Sequence, residues 1–154
     1  MAYEDIVTWV GTQLEAVDDI GQVHTTEPRA ETLTDAVTKF AKTGTRGDVL
    51  CTWFIGHGAF DEHWKTSSHG FADEGVVITG IYSRSGDTSE KTQRQLIEAI
   101  RDKIRVGVKA DHTLGGLVHR ANFLKGGRQV PVDFFGVLCF RVELDFTWNR
   151  QMSG

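Results

Sequence analysis

The chain has 154 residues, 40% hydrophobic and 25% charged, which is the length of one domain and long enough to bury about two thirds of the surface its unfolded form exposes. It holds only 2 prolines, and no apolar run is long enough for a membrane-spanning helix. The net charge of -4 excludes a chain whose overall field draws it to polyanions.

That charge is unevenly spread. Residues 1–35 carry eight acids (Glu4, Asp5, Glu15, Asp18, Asp19, Glu27, Glu31 and Asp35) against Arg29, whereas residues 84–110 carry seven bases against four acids. Opposite charge at two ends of one small domain suits head-to-tail contact between copies, although solvated faces of this kind also occur without a partner. The opening "MAYEDIVTWV" has acids where a secretory leader carries bases, so export by that route is not expected. Cys51 and Cys139 both sit in strand-like apolar stretches, as small buried hydrophobes in a reducing compartment.

In chain order, Ile6, Val7, Val10, Leu14 and Val17 form one stripe at helical spacing and predict a helix over residues 3–17. A second, shorter helix opens at Thr32, with Asp35 three residues on and Leu33, Ala36, Val37 and Phe40 on its buried side; Gly44 terminates it. "DVLCTWFIGHGAF" and "EGVVITGIYSR" then read as two antiparallel strands, joined by a long loop over residues 56–75. Asp87 and Glu90 have capping-box spacing and open the longest helix, residues 88–106, with Leu96, Ile97, Ile100 and Ile104 as its stripe.

"DHTLGGLVHR" follows that helix. Gly115 and Gly116 allow a sharp reversal, Asp111 and Thr113 can bond nearby amides, and Leu114 tucks beneath, so the stretch specifies a corner. "GLVHRANFL" then reads as a strand, "KGGRQVPVDFFG" as a long connection, and "GVLCFRVELDFTWNR" as the closing strand. In the last of these, Leu138, Phe140, Val142, Leu144, Phe146 and Trp148 alternate with polar residues. One core face and one wet face predict an α+β fold: a mainly antiparallel sheet of four to five strands, helices on one face, as a single domain over residues 1–154.

This order of elements resembles the tail terminator, or tail completion, proteins of long-tailed bacteriophages. Its most specific pieces are "VVITGIYSR", the helix after "SGDTSE" and "DHTLGGLV", and the likeness runs from about Ile6 to Trp148. The resemblance implies a virion protein at the tail-neck junction, made in the host cytoplasm. It implies a homo-oligomeric ring, usually a hexamer, that joins the tail tube protein to the head-neck connector proteins. DNA would pass through the channel without sequence-specific binding. Residues 21–43 and the loop over 56–75 exceed the minimal pattern, which leaves a neck or tail tube protein of the same virion as an alternative.

The chemistry-bearing residues support a non-enzyme. "GHGAFDEHWKTSSHG" collects His57, Asp61, Glu62, His63 and His69, a composition able to bind zinc or iron, yet without H-E-x-x-H spacing. No G-x-S-x-G elbow or phosphate-binding glycine motif occurs. The competing reading is a small α+β metal-binding or hydrolytic enzyme using His57, Asp61 and His63. The leading expectation has no catalytic, cofactor or metal residues and places partner contacts at Phe134 and Phe135 of "PVDFFG", at Arg84 and Asp87 on the other rim, and at the loop aromatics Phe60 and Trp64.

Overall fold

The computed structural model describes residues 2–25, 51–64, 70–83, 89–134 and 137–152. In chain order these form α1 (Ala2–Glu15), β1 (Gln22–His24), β2 (Cys51–Trp64), β3 (Gly70–Ser83), α2 (Ser89–Ala110), β4 (Arg120–Ala121), β5 (Lys125–Gly126), β6 (Val130–Phe134) and β7 (Val137–Met152). The short helix expected from Thr32 lies outside the described residues.

Both helices form where the apolar stripe predicts them. α1 buries Ile6, Val7, Val10 and Leu14, and its first-turn acids Glu4 and Asp5 suit the positive end of the helix dipole. α2 buries Leu96, Ile97, Ile100, Ile104 and Val108 and continues to Ala110, a turn beyond the expected end, with Lys109 in its last turn.

The architecture is α+β, as expected, but the sheet is larger and mixed. Among the described residues seven strands are arranged β1-β2-β3-β7-β4, with β5 and β6 also on β7. β1 joins β2 in parallel, and every other pairing is antiparallel. Since β3 occupies one edge of β7, the three short strands share the other and act as one interrupted edge strand. One expected connection is therefore strand, and one expected strand is shorter than expected. "KGGRQVPVDFFG" supplies β5 and β6, whereas of "GLVHRANFL" only Arg120 and Ala121 join the ladder.

The stretch expected as a loop over residues 56–75 is mostly ladder, running from Cys51 opposite Tyr82 to Trp64 opposite Gly70, with a bulge between His57 and Phe60. The glycines that suggested a loop serve the bulge instead. A Cβ on Gly58 would lie 2.8 Å from the Gly75 carbonyl carbon, so only glycine lets the two backbones approach.

The core lies between the helices and one face of β2, β3 and β7. Trp53, Ile78, Leu144, Phe146 and Trp148 are buried there, and the Trp9 ring stacks 5.7 Å from Phe146. Gly80 is placed opposite Trp53 in the ladder; a Cβ at Gly80 would come within 2.4 Å of the indole, so this glycine is the seat of the ring. The helices run in opposite directions. Tyr3, at the start of α1, touches His57 and Trp148, and Ile20, beyond its end, touches Cys51 and Trp53. α2 begins with Gln93 donating to the Phe140 carbonyl and ends beside Ala121 and Trp148.

The second face of the sheet departs from the expectation of a uniformly wet surface. Arg141, Glu143 and Asp145 are exposed as the alternation predicts, but Thr52, Thr79, Ile81, Ser83 and Cys139 are buried. Leu138 also departs from the pattern: alternation places it on the core stripe, yet it is 59% exposed. Gln93 is a buried polar residue the pattern did not flag. Its amide nitrogen donates to Phe140, its oxygen accepts from Gln129, and the pair ties α2 to the start of β7.

Candidate functional site

The β2–β3 hairpin is the first notable surface. Phe60 is 61% exposed, and Asp61 and Glu62 beside it are exposed as well. Beyond Phe54, no described strand pairs with β2 on its outer side, because β1 covers only Thr52, Trp53 and Phe54. That edge carries amides and carbonyls oriented for another strand.

The ladder also fixes what stands level with this edge. Asp61 is opposite Asp73, Asp73 opposite Asn149, and Asn149 opposite Arg120, so one row crosses the sheet from an acid at one margin to a base at the other.

The margin at Arg120 is a groove of about 620 Å³, whose lining includes Lys109, His112, His119, Arg120 and Phe123. Its floor is fixed by the backbone: the Ala121 amide donates to the His112 carbonyl at 2.8 Å and the His119 amide to the Asn149 carbonyl at 2.9 Å. The His119 ring meets Phe71 of the hairpin edge-on, with centroids 5.3 Å apart. Phe123 is 50% exposed, and among the described residues no carboxylate pairs with Lys109 or Arg120.

The corner that closes the groove is the one the sequence specifies. Asp111 Oδ1 accepts from the Thr113 amide at 3.0 Å and the Thr113 hydroxyl at 2.6 Å, and Oδ2 accepts from the Gly115 amide at 2.9 Å. Leu114 is buried, with φ 51°, followed by Gly115 and Gly116 at 73° and 89°. Three successive left-handed residues make the reversal, and two of them are glycines because side chains resist that region.

The Thr113 hydroxyl, followed by the Thr113 and Gly115 amides, holds the Asp111 carboxyl below its ordinary pKa, with His112 adding to the effect. A carboxylate with a lowered folded pKa contributes stability that is complete above the ordinary carboxylate range and is lost as pH falls through the lowered value. Asp111→Ala is accordingly expected to speed amide exchange at Thr113 and Gly115 several-fold at neutral pH. The difference from the wild type should shrink on acidification, and equal exchange in the two proteins at pH 7 would refute this role.

The other predicted residues fall as follows. Trp64 ends β2, and Phe134 ends β6, paired with Val137, so neither is in a loop as expected. Arg84, Asp87 and Phe135 lie outside the described residues. His57 and Asp61 share β2 but not a face: their partners Val76 and Asp73 alternate along β3. His57 instead stacks on Tyr3, centroids 4.7 Å apart and planes within 6°. Among the described residues, no group of three His, Cys, Asp or Glu side chains could hold a metal ion. Cys139 is a poor nucleophile, since burial, with Asp133 adding to it, pushes its thiol up to about 11.

The groove residues His112, His119, Arg120 and Phe123 were not singled out from sequence. Reading "GLVHRANFL" as a strand gives no reason to set them apart. The adjacent polar pair His119 and Arg120 departs from strand alternation and is the available signal.

No family model matches the chain, and no curated protein does. Among solved structures, it is similar to a chain of the virion of a native gene transfer agent particle, with 19% identity, 93% of this chain and 92% of that chain covered, and a TM-score of 0.48. A likeness at that level assigns no function.

Proposed function

We propose that this chain is a structural virion protein, a tail terminator subunit that assembles with copies of itself into a ring closing the phage tail tube. In this reading the ring's flat sides meet the tail tube protein and the head-neck connector proteins. DNA crosses the channel without being gripped, as suits a chain of net negative charge. The protein then resides in the virion at the tail-neck junction, and its task is assembly rather than catalysis.

The observation that supports the reading is the outer edge of β2, which beyond Phe54 has no strand paired with it among the described residues and is flanked by the exposed Phe60. Unpaired strand edges are commonly blunted or covered, and an open one with an apolar neighbour is a surface for adding a strand from another chain. Contacts of this kind repeated about an axis close into a ring when the rotation permits. The resemblance carried by "VVITGIYSR" and "DHTLGGLV" points to the same role.

The test is light scattering combined with negative-stain imaging of the purified full chain. Ring-shaped particles with a central hole are expected. A monomer at all concentrations, with stoichiometric zinc or iron, would overturn the proposal in favour of the metal-binding alternative. Labelled copies found along the tube or in the neck of assembled particles would replace the terminator by a tube or neck protein.

A further inference from the structure

The row from Asp61 through Asp73 and Asn149 to Arg120 puts opposite charges on opposite margins of one sheet at the same height. The acidic margin carries Asp61 and Glu62, exposed next to Phe60 on the outer edge of β2, where beyond Phe54 no described strand pairs. The basic margin is the groove with Lys109, His112 and Arg120, and Phe123 at its rim. The two cannot satisfy each other within one chain. Three strand spacings separate them, about 14 Å, which exceeds the distance over which exposed charges act at physiological salt.

The nearest acid in sequence, Asp111, is held in the corner by hydrogen bonds from Thr113 and Gly115 and, among the described residues, forms no ion pair with Lys109 or Arg120. Elsewhere, exposed arginines do have acids beside them: Arg105 pairs with Asp102, Arg141 with Glu143 and Arg150 with Glu74. A sideways displacement by one sheet width carries the acidic margin of one copy onto the basic groove of the next.

Resting on the assembly reading above, we infer that each copy inserts Phe60, Asp61 and Glu62 into the groove formed by Lys109, His112 and Arg120 of its neighbour. The contact is heterologous, because it joins two different patches and leaves one of each unfilled on every pair, so it repeats from copy to copy and closes into a ring when the rotation permits. Opposed charge sets the register between copies and speeds their encounter, while Phe60 against Phe123 supplies the desolvated contact. Of possible occupants, a second copy is favoured because the complementary acids stand at the height of the groove on this same chain.

The experiment is a charge exchange in the full-length protein, read by sedimentation equilibrium, with circular dichroism confirming that each variant is folded. Lys109→Glu with Arg120→Glu, and separately Asp61→Lys with Glu62→Lys, should each weaken self-association by about tenfold or more, because two exposed pairs turn from attraction to repulsion. Mixed in equal amounts, the two variants should recover association, since each then meets a neighbour of opposite sign on both sides. Raising the salt should weaken the wild type and the mixture alike.

If rings of wild-type strength persist in both variants, the inference is wrong and the assembly reading stands. If groove reversal weakens association but margin reversal does not, the groove takes a different segment and the inference is again overturned. A wild type that never associates removes both.

Discussion

Trp53→Ala is expected to lower the unfolding free energy by about 4 kcal/mol, the middle of the range for removing a large aromatic from a core. The indole is 1% exposed, sits on the space left by Gly80, and donates from Nε1 to the Ile20 carbonyl at 3.0 Å. It therefore joins the sheet to the turn after α1 as well as filling volume. Trp53→Phe keeps most of the volume and loses the hydrogen bond. Its cost should be about 1 to 2 kcal/mol, because Cys51 Sγ still donates to the same carbonyl. Urea unfolding followed by far-ultraviolet circular dichroism measures both, and a loss under about 2 kcal/mol for the alanine variant would contradict this role.

Gly21→Ala is expected to cost about 3 kcal/mol, from two separable causes. Gly21 has φ 86°, and a Cβ there would stand 2.3 Å from the Cys51 carbonyl oxygen, a backbone atom that cannot swing aside. Gly115 is the internal control. Its φ is 73°, yet nothing lies within 4 Å of its added Cβ, so Gly115→Ala should cost only about 1 kcal/mol for the backbone angle alone. Equal losses in the two variants would show that close approach to Cys51 plays no part. Because Gly21 precedes the three residues of β1, its substitution should also loosen the parallel pairing with β2, seen as faster amide exchange across that ladder.

Much of the fold was legible because one physical rule, burial of a periodic apolar stripe, dominates locally in α1, α2 and β7. The corner was legible for a different reason: Asp111, Thr113 and two glycines can satisfy one another within six residues of chain, so no distant element has to be known. The failures have a common cause too. Residues 56–64 and 125–134 carry glycine, charge and proline, which weaken strand propensity, yet they pair because a long neighbouring strand, β3 or β7, offers them an edge. Phe60 was legible as an aromatic able to meet a partner, but its place on the outer edge of β2 was not.

The sequence by itself determined the two amphipathic helices, the alternation along most of β7, and the turn chemistry of "DHTLGG", since each depends on neighbours a few residues apart. Only the tertiary structure decided the strand order, and with it the row that sets Asp61 and Arg120 at opposite margins of one sheet. Strand pairing joins residues dozens of positions apart through backbone groups that are the same in every residue, so side-chain identity says little about which edges meet and which remain open.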